Sequence, residues 1–299
     1  MKKNFNFGPL FIIIAAILWA LDGIIRRSLF VLPAITIVFY EHLVGALILT
    51  PFVLKTFYRE KVTKKEIFLL VFVSLLSGVL GTLWFTTALL MTHYISFSVV
   101  FLLQKLQPLF AITTAVIFLK EKISRNYLKW AVLALFAAYF VTFKNGYVGI
   151  KTDSNTIVAA LYALGAAFAW GSSTTISKIA LQKKSNNFVT GLRFIITAVL
   201  AFFTVFILRA QASLSTVTVS QLLRFVIIAL STGMVAVLIY YKGLKTTQVR
   251  VSTILELAFP VLAIFIDAFL YKTFLAPSQL IAATILLFAM YKVAQFQKR

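Results

Sequence analysis

Six charged side chains occupy positions where charge is expensive. Asp22, Glu41, Glu256, Asp267, Lys105 and Arg193 fall inside long apolar runs of this 299-residue chain, and the four acids are half of the eight it contains. On membrane-insertion scales a charge at a helix centre costs about 2.5–3.5 kcal/mol, so such groups must face one another or water. The chemistry open to them is recognition of a polar solute and carriage of a proton. Lys105 is the sharpest case, in the run Leu102-Leu103-Gln104-Lys105-Leu106-Gln107-Pro108. It lies about ten residues, roughly 15 Å, from the end of its span and therefore near mid-membrane. Pro108 lacks the donor that would bond the Gln104 carbonyl, so a polar turn and an interrupted helix coincide there. Lys105, with Gln104 beside it, is expected to meet a carboxylate or other anionic group of a bound solute; the alternative is an ion pair with Glu41 or Glu256.

Glu256 stands four residues before Pro260, as Gln104 stands four before Pro108. Glu256 is thus a candidate for binding or for proton coupling. Asp267 returns to nearly the same helical face eleven residues later, at the rim. Glu41 adjoins His42, whose imidazole titrates near neutrality, and both are candidates to carry a coupling proton; the alternative fixes Glu41 to Lys105 or Arg27. Asp22 and Arg26 share a helix face at four-residue spacing and should pair. Trp19, Trp84 and Trp170 are candidates to stack a planar solute. No His-Glu-x-x-His, paired-Asp motif or nucleophile–base spacing is present, and two His without Cys make no metal constellation.

The elements that must hold these groups are read from composition. The chain is 61% hydrophobic and 12% charged, against roughly half apolar and a quarter charged in soluble domains. That excludes a water-soluble enzyme, a disordered tail and, with no Cys, a disulfide scaffold. Ten candidate spans follow from the length needed to cross a bilayer: 9–30, 34–54, 67–91, 95–119, 127–143, 156–177, 188–208, 222–241, 251–270 and 277–292. Net charge is +21, with 29 Lys and Arg. Twenty of these fall on one side of the predicted topology and seven, Arg26 and Arg27 among them, on the other. That bias places both termini in the cytoplasm and accounts for the charge without nucleic acid as partner. Tyr127, Trp130, Tyr240, Tyr241, Tyr271 and Tyr291 lie near span ends and are expected as interfacial anchors.

The chain also repeats itself. Trp19 and Trp170, then Arg27 and Lys178, are 151 apart; Glu41 and Arg193, then Pro108 and Pro260, are 152 apart; Ala88-Leu89 before Thr92 matches Gly243-Leu244 before Thr247 at 155. Each half holds five spans, and because five is odd the second half enters the membrane from the opposite face. Inverted repeats of this kind belong to secondary transporters, whose halves enclose a midplane site and rock to expose it alternately. Gly78, Gly81, Gly165 and Gly171 let helices approach closely.

Trp19 and its small-residue sequel, Ala88-Leu89, Pro108-Leu109-Phe110 and Leu119-Lys120-Glu121-Lys122 resemble the drug/metabolite transporter superfamily, in its ten-helix branch with two EamA-type repeats. Trp170-Gly171-Ser172, Leu192-Arg193-Phe194 and Phe259-Pro260-Val261 echo the pattern in the second half. The chain departs from it at Tyr40-Glu41-His42, where the family usually has Arg-Phe, and at Tyr271-Lys272, where Gly-Glu is expected. The resemblance implies a carrier of small organic solutes, with Arg193 at the inner part of its helix as a structural bridge.

The expectation is an all-α membrane protein of ten transmembrane helices, two inverted five-helix repeats (1–150 and 151–299) around a central cavity. It would be a secondary transporter in the cytoplasmic membrane, exporting an amino-acid-like metabolite by alternating access without a cofactor, as a monomer or homodimer. Lys105, Gln104, Glu41, Trp19, Trp170 and Glu256 would bind the solute; Glu41, His42 and Glu256 would handle protons. The alternative is a proton-coupled exporter of lipophilic cations.

Overall fold

The computed structural model describes residues 6–91, 97–147, 154–270, 272 and 274–298. Within them fourteen α-helices, one π-helix and short 3-10 turns line up as ten rods. The first repeat contains α1 (Gly8–Arg26), α2 (Ala34–Glu60), α3 (Lys64–Val73) running through a π-helix (Ser74–Gly81) into α4 (Thr82–Leu90), α5 (Phe97–Gln104) with α6 (Gln107–Leu119), and α7 (Arg125–Thr142). The second contains α8 (Ser154–Leu181), α9 (Asn186–Ile207), α10 (Val219–Leu230) with α11 (Met234–Thr246), α12 (Val249–Leu255) with α13 (Ala258–Leu270), and α14 (Pro277–Gln295). Eight of these rods are long and apolar enough to cross a membrane, and α6 is a shorter apolar helix.

Local chemistry explains the boundaries. Thr63 with Glu66 opens α3 and Thr218 with Gln221 opens α10 by reciprocal capping. The Ser124 and Ser185 hydroxyls accept from the first-turn amides of α7 and α9. The rods of α5–α6 and α12–α13 are interrupted at corresponding places, Lys105-Leu106 and Glu256-Leu257, where the Leu106 N–H donates to Leu103 and the Leu257 N–H to Ile254 across short turns. Both interruptions lie just before a proline, as the sequence implies.

Packing follows a pseudo-twofold pattern. The α2 rod lies against α9 and α7 against α14; α1 packs on α11 and α13, while its repeat mate α8 packs on α4 and α6. The α7–α14 seam is built from small residues, with Ala131, Ala134, Ala138, Ala282, Ala283 and Ala289 buried, which lets the backbones come close. Large apolar side chains such as Leu47, Phe118, Phe136, Leu161, Phe203 and Ile207 point outward, where lipid would cover them.

Several expectations are corrected. Arg26, counted among the surface bases, is buried, because α1 continues past Asp22 and turns the guanidinium inward. Tyr127, Tyr240 and Tyr241 are buried rather than interfacial. The Tyr127 hydroxyl donates to the Arg250 carbonyl at 2.7 Å, and α11 runs on to Thr246, so Tyr240 and Tyr241 sit within its rod. Trp84 packs over Gly165 of α8 and does not line the central cavity. Thr92, Tyr271 and the Asp267 side chain lie outside what the structure describes.

Candidate functional site

A central cavity of about 210 Å³, partly open to its surroundings, lies between the two repeats. Lys105, Gln104, Glu41, His42, Trp19, Trp170 and Glu256 all line it. Three acids (Asp22, Glu41, Glu256) and three bases (Arg26, Lys105, Arg193) share the wall, so its formal charge balances.

Mid-cavity, the interrupted rods present a polar chain. Gln104 Nε2 donates to Gln107 Oε1 at 2.8 Å, and Gln107 Nε2 donates to Glu256 Oε2 at 2.9 Å. The Tyr240 hydroxyl donates to Glu256 Oε1 at 2.7 Å. Glu256 is therefore held by two neutral donors and forms no ion pair with Lys105. Lys105 Nζ lies 3.9 Å above the Phe259 ring, a cation–π contact, and Phe259 stacks with Phe101 at 5.3 Å and 17°. Among the described residues the Lys105 ammonium has no hydrogen-bonding partner. Trp19 packs against Tyr240 at 5.1 Å, and Trp170 against Phe85 at the same separation. Gly171 is required at the α6 break: a Cβ there would stand 2.6 Å from the Gln107 carbonyl oxygen.

Glu41 is engaged elsewhere. Arg26 is paired with Asp22, and its Nη2 lies 3.0 Å from Glu41 Oε2, a charge contact without an aligned hydrogen bond. Thr232, in the break between α10 and α11, donates from Oγ1 to Asp22 Oδ1 at 2.5 Å. Glu41 thus meets neither Lys105 nor Arg27 as an ion pair. His42 Nδ1 lies 2.8 Å from the Val38 carbonyl, and its ring packs on Phe194 at 5.0 Å. A carbonyl only accepts, so Nδ1 carries the proton in that bond. Arg193 bridges, as expected: Nη1 donates to the Tyr241 hydroxyl at 3.2 Å and Nη2 to Ser77 Oγ at 2.6 Å. Ser77 belongs to the π-helix, whose Ser77 carbonyl accepts from Trp170 Nε1 at 3.0 Å.

Sequence reasoning missed Gln107, Tyr240 and Tyr241; it paired Arg26 with Asp22, as found, but missed the contact of Arg26 with Glu41. Gln107 carried a signal, since it sits between Lys105 and Pro108 in the interrupted turn. Arg26 carried another in its spacing from Asp22. The tyrosines carried none beyond their distance from a span end, which misled. Among the described residues no group of His, Cys, Asp and Glu is arranged to hold a metal.

An all-helical membrane fold of two repeats around a central cavity with aromatic, hydroxyl and charged side chains in its wall defines a class of small-molecule carrier. The chain belongs to the EamA-like transporter family, whose pattern matches residues 6–143 and 157–294. It is similar to the riboflavin transporter ImpX of Fusobacterium nucleatum subsp. nucleatum, at 35% identity over 291 residues, 96% of this chain and 97% of that protein. A solved crystal structure with 16% identity covers 98% of both chains at a TM-score of 0.76, a likeness of fold. The protein is a multi-pass membrane transporter of a small molecule.

Proposed function

We propose that this chain is a secondary carrier for an uncharged, planar heteroaromatic solute bearing a polyol chain, with riboflavin as the substrate. The observation that carries the reading is the charge-balanced cavity walled by Trp19, Phe101, Trp170, Tyr240 and Phe259. The end-to-end relative named as a riboflavin transporter supports it. A ring system would be covered by those aromatic walls, at centroid separations of about 4.5–7 Å. The polyol would meet Ser173, Thr174, Ser177 and Thr253 on the cavity wall. Thr253 Oγ1 is buried without a hydrogen-bonding partner among the described residues, and a solute hydroxyl would relieve that cost.

Residues 1–150 and 151–299 would be the two moving halves, rocking in the cytoplasmic membrane with both termini inside. Solute would move down its gradient, outward when the cell is loaded. The balanced wall argues against the lipophilic-cation exporter, which needs an excess of acid. An amino-acid-like zwitterion is the second reading, favoured by one observation: Lys105 and Glu256 line the same cavity without pairing, as a carboxylate and an ammonium would require.

Proteoliposomes containing the purified protein decide between them. Saturable riboflavin uptake into empty vesicles, trans-stimulated by internal riboflavin and insensitive to amino acids, is expected. Amino-acid uptake without flavin uptake would replace the first reading with the second.

A further inference from the structure

The interrupted turns place an acceptor, Glu256, and a cation, Lys105, in the lining of one cavity, each with unused bonding capacity. Glu256 Oε1 takes one hydrogen bond from Tyr240 and Oε2 one from Gln107, and each carboxylate oxygen has room for a second. Both donors are neutral and reach the carboxylate from other helices, Tyr240 from α11 and Gln107 from α6. They fix its plane without cancelling its charge. Lys105 carries three N–H donors and spends none of them on protein among the described residues. It is instead held over Phe259, at the edge of a stacked aromatic pair. Gln104 donates to Gln107, which directs the Gln107 amide toward Glu256 and sets its orientation. The wall therefore offers both an acceptor and a donor in a cavity that also has aromatic lining.

We propose that Glu256 and Lys105 are the specificity-determining pair of this carrier and read the edge of a cyclic imide, an N–H set between two carbonyls. Glu256 accepts the imide N–H and Lys105 donates to a flanking carbonyl oxygen. Gln104, Gln107 and Tyr240 are positioning residues that hold the carboxylate in register. The inference rests on the flavin reading above and deepens it, because the isoalloxazine ring of riboflavin carries such an imide at N3. Uracil-type rings carry the same group on a single ring, without the tricyclic surface.

The pairing has a chemical logic. A site built to hydrogen-bond a substrate N–H rejects an analogue that lacks it far more strongly than an apolar pocket rejects one missing methylene, because the buried polar group is left unpaired. An N-alkylated imide keeps the ring, the polyol and both carbonyls while removing the one proton that Glu256 accepts.

Binding of riboflavin, N3-methylriboflavin and uridine to the purified full chain, followed by flavin fluorescence quenching and by competition, tests this. Riboflavin is expected to bind at least about 100-fold more tightly than its N3-methyl derivative. Uridine is expected to compete weakly, since it engages the pair without the aromatic walls. Riboflavin and N3-methylriboflavin binding equally would overturn the imide assignment while leaving the flavin carrier standing. Saturable uridine binding with no flavin binding would uphold the imide pair and overturn the flavin reading. No binding of any of the three would overturn both. In Glu256→Met, checked for an unchanged unfolding transition, the preference over the N3-methyl derivative should fall to within about threefold; a preference retained in that variant would remove Glu256 from the assignment.

Discussion

The two ends of the cavity are built on equivalent positions with different chemistry. The connected rods alternate direction, so Asp22, Arg26 and Glu41 gather toward the face where α1 ends, and Ser177, Arg193 and Tyr241 toward the opposite face. Repeat offsets relate the clusters: Asp22 to Ser173, Arg26 to Ser177 and Glu41 to Arg193, with Ser77 of the π-helix matching Thr232 of the α10–α11 break. At the first end a guanidinium lies between two carboxylates, one of which accepts from Thr232. At the second, Arg193 is held by two hydroxyls, and Tyr241 also meets Ser177 at 2.9 Å. One scaffold thus carries a buried ion cluster on one side and a hydroxyl-bonded cation on the other. The difference matters energetically. Removing one member of a buried ion pair leaves an uncompensated charge, whereas removing a hydroxyl-bonded cation leaves only neutral groups.

Three measurements can break that contrast. Arg26→Met should destabilise the protein by about 3–5 kcal/mol, because Asp22 and Glu41 are left buried together. Thermal unfolding in detergent reads it, and neutralising all three charges at once should restore most of the loss. Arg193→Met should cost about 1.5–3 kcal/mol, the range for hydrogen bonds to a charged group. A loss equal to that of Arg26→Met would show that the two ends are energetically alike. Tyr241→Phe removes only the hydroxyl shared by Ser177 and Arg193, and should shift stability by about 1 kcal/mol. A double-mutant cycle with Arg193→Met should recover a coupling of similar size.

The spans were legible because hydrophobic runs of membrane length have few other readings, and the interruptions at Lys105-Leu106 and Glu256-Leu257 because Pro108 and Pro260 announce them. The convergence of Lys105, Gln104 and Glu256 on one cavity also follows from that repeat. Other features depended on tertiary contacts. The pairing of Arg26 with Asp22 is legible from their spacing, but its burial rests on Glu41 arriving from α2 to receive it. Tyr240 and Tyr241 read as interfacial because the end of α11 was placed too early, at residue 241 rather than Thr246. Trp84 and Trp170 are equivalent aromatics by composition; only the glycines that face them, Gly165 and Gly81, separate a packing residue from one on the cavity wall. Nothing in Ser74–Gly81 marks a π-helix. It is recognisable only where the Trp170 indole and Arg193 take up its Ser77 groups.

That wider coil changes the phase of the rod that follows. In a regular α-helix each residue advances the side chain by about 100°, and a stretch of i→i+5 bonding delays that advance. The faces shown by α4 are consequently displaced around its axis from where an uninterrupted α-helix would put them. Thr82 and Phe85 meet the cavity on that displaced face, while Trp84 turns away onto α8.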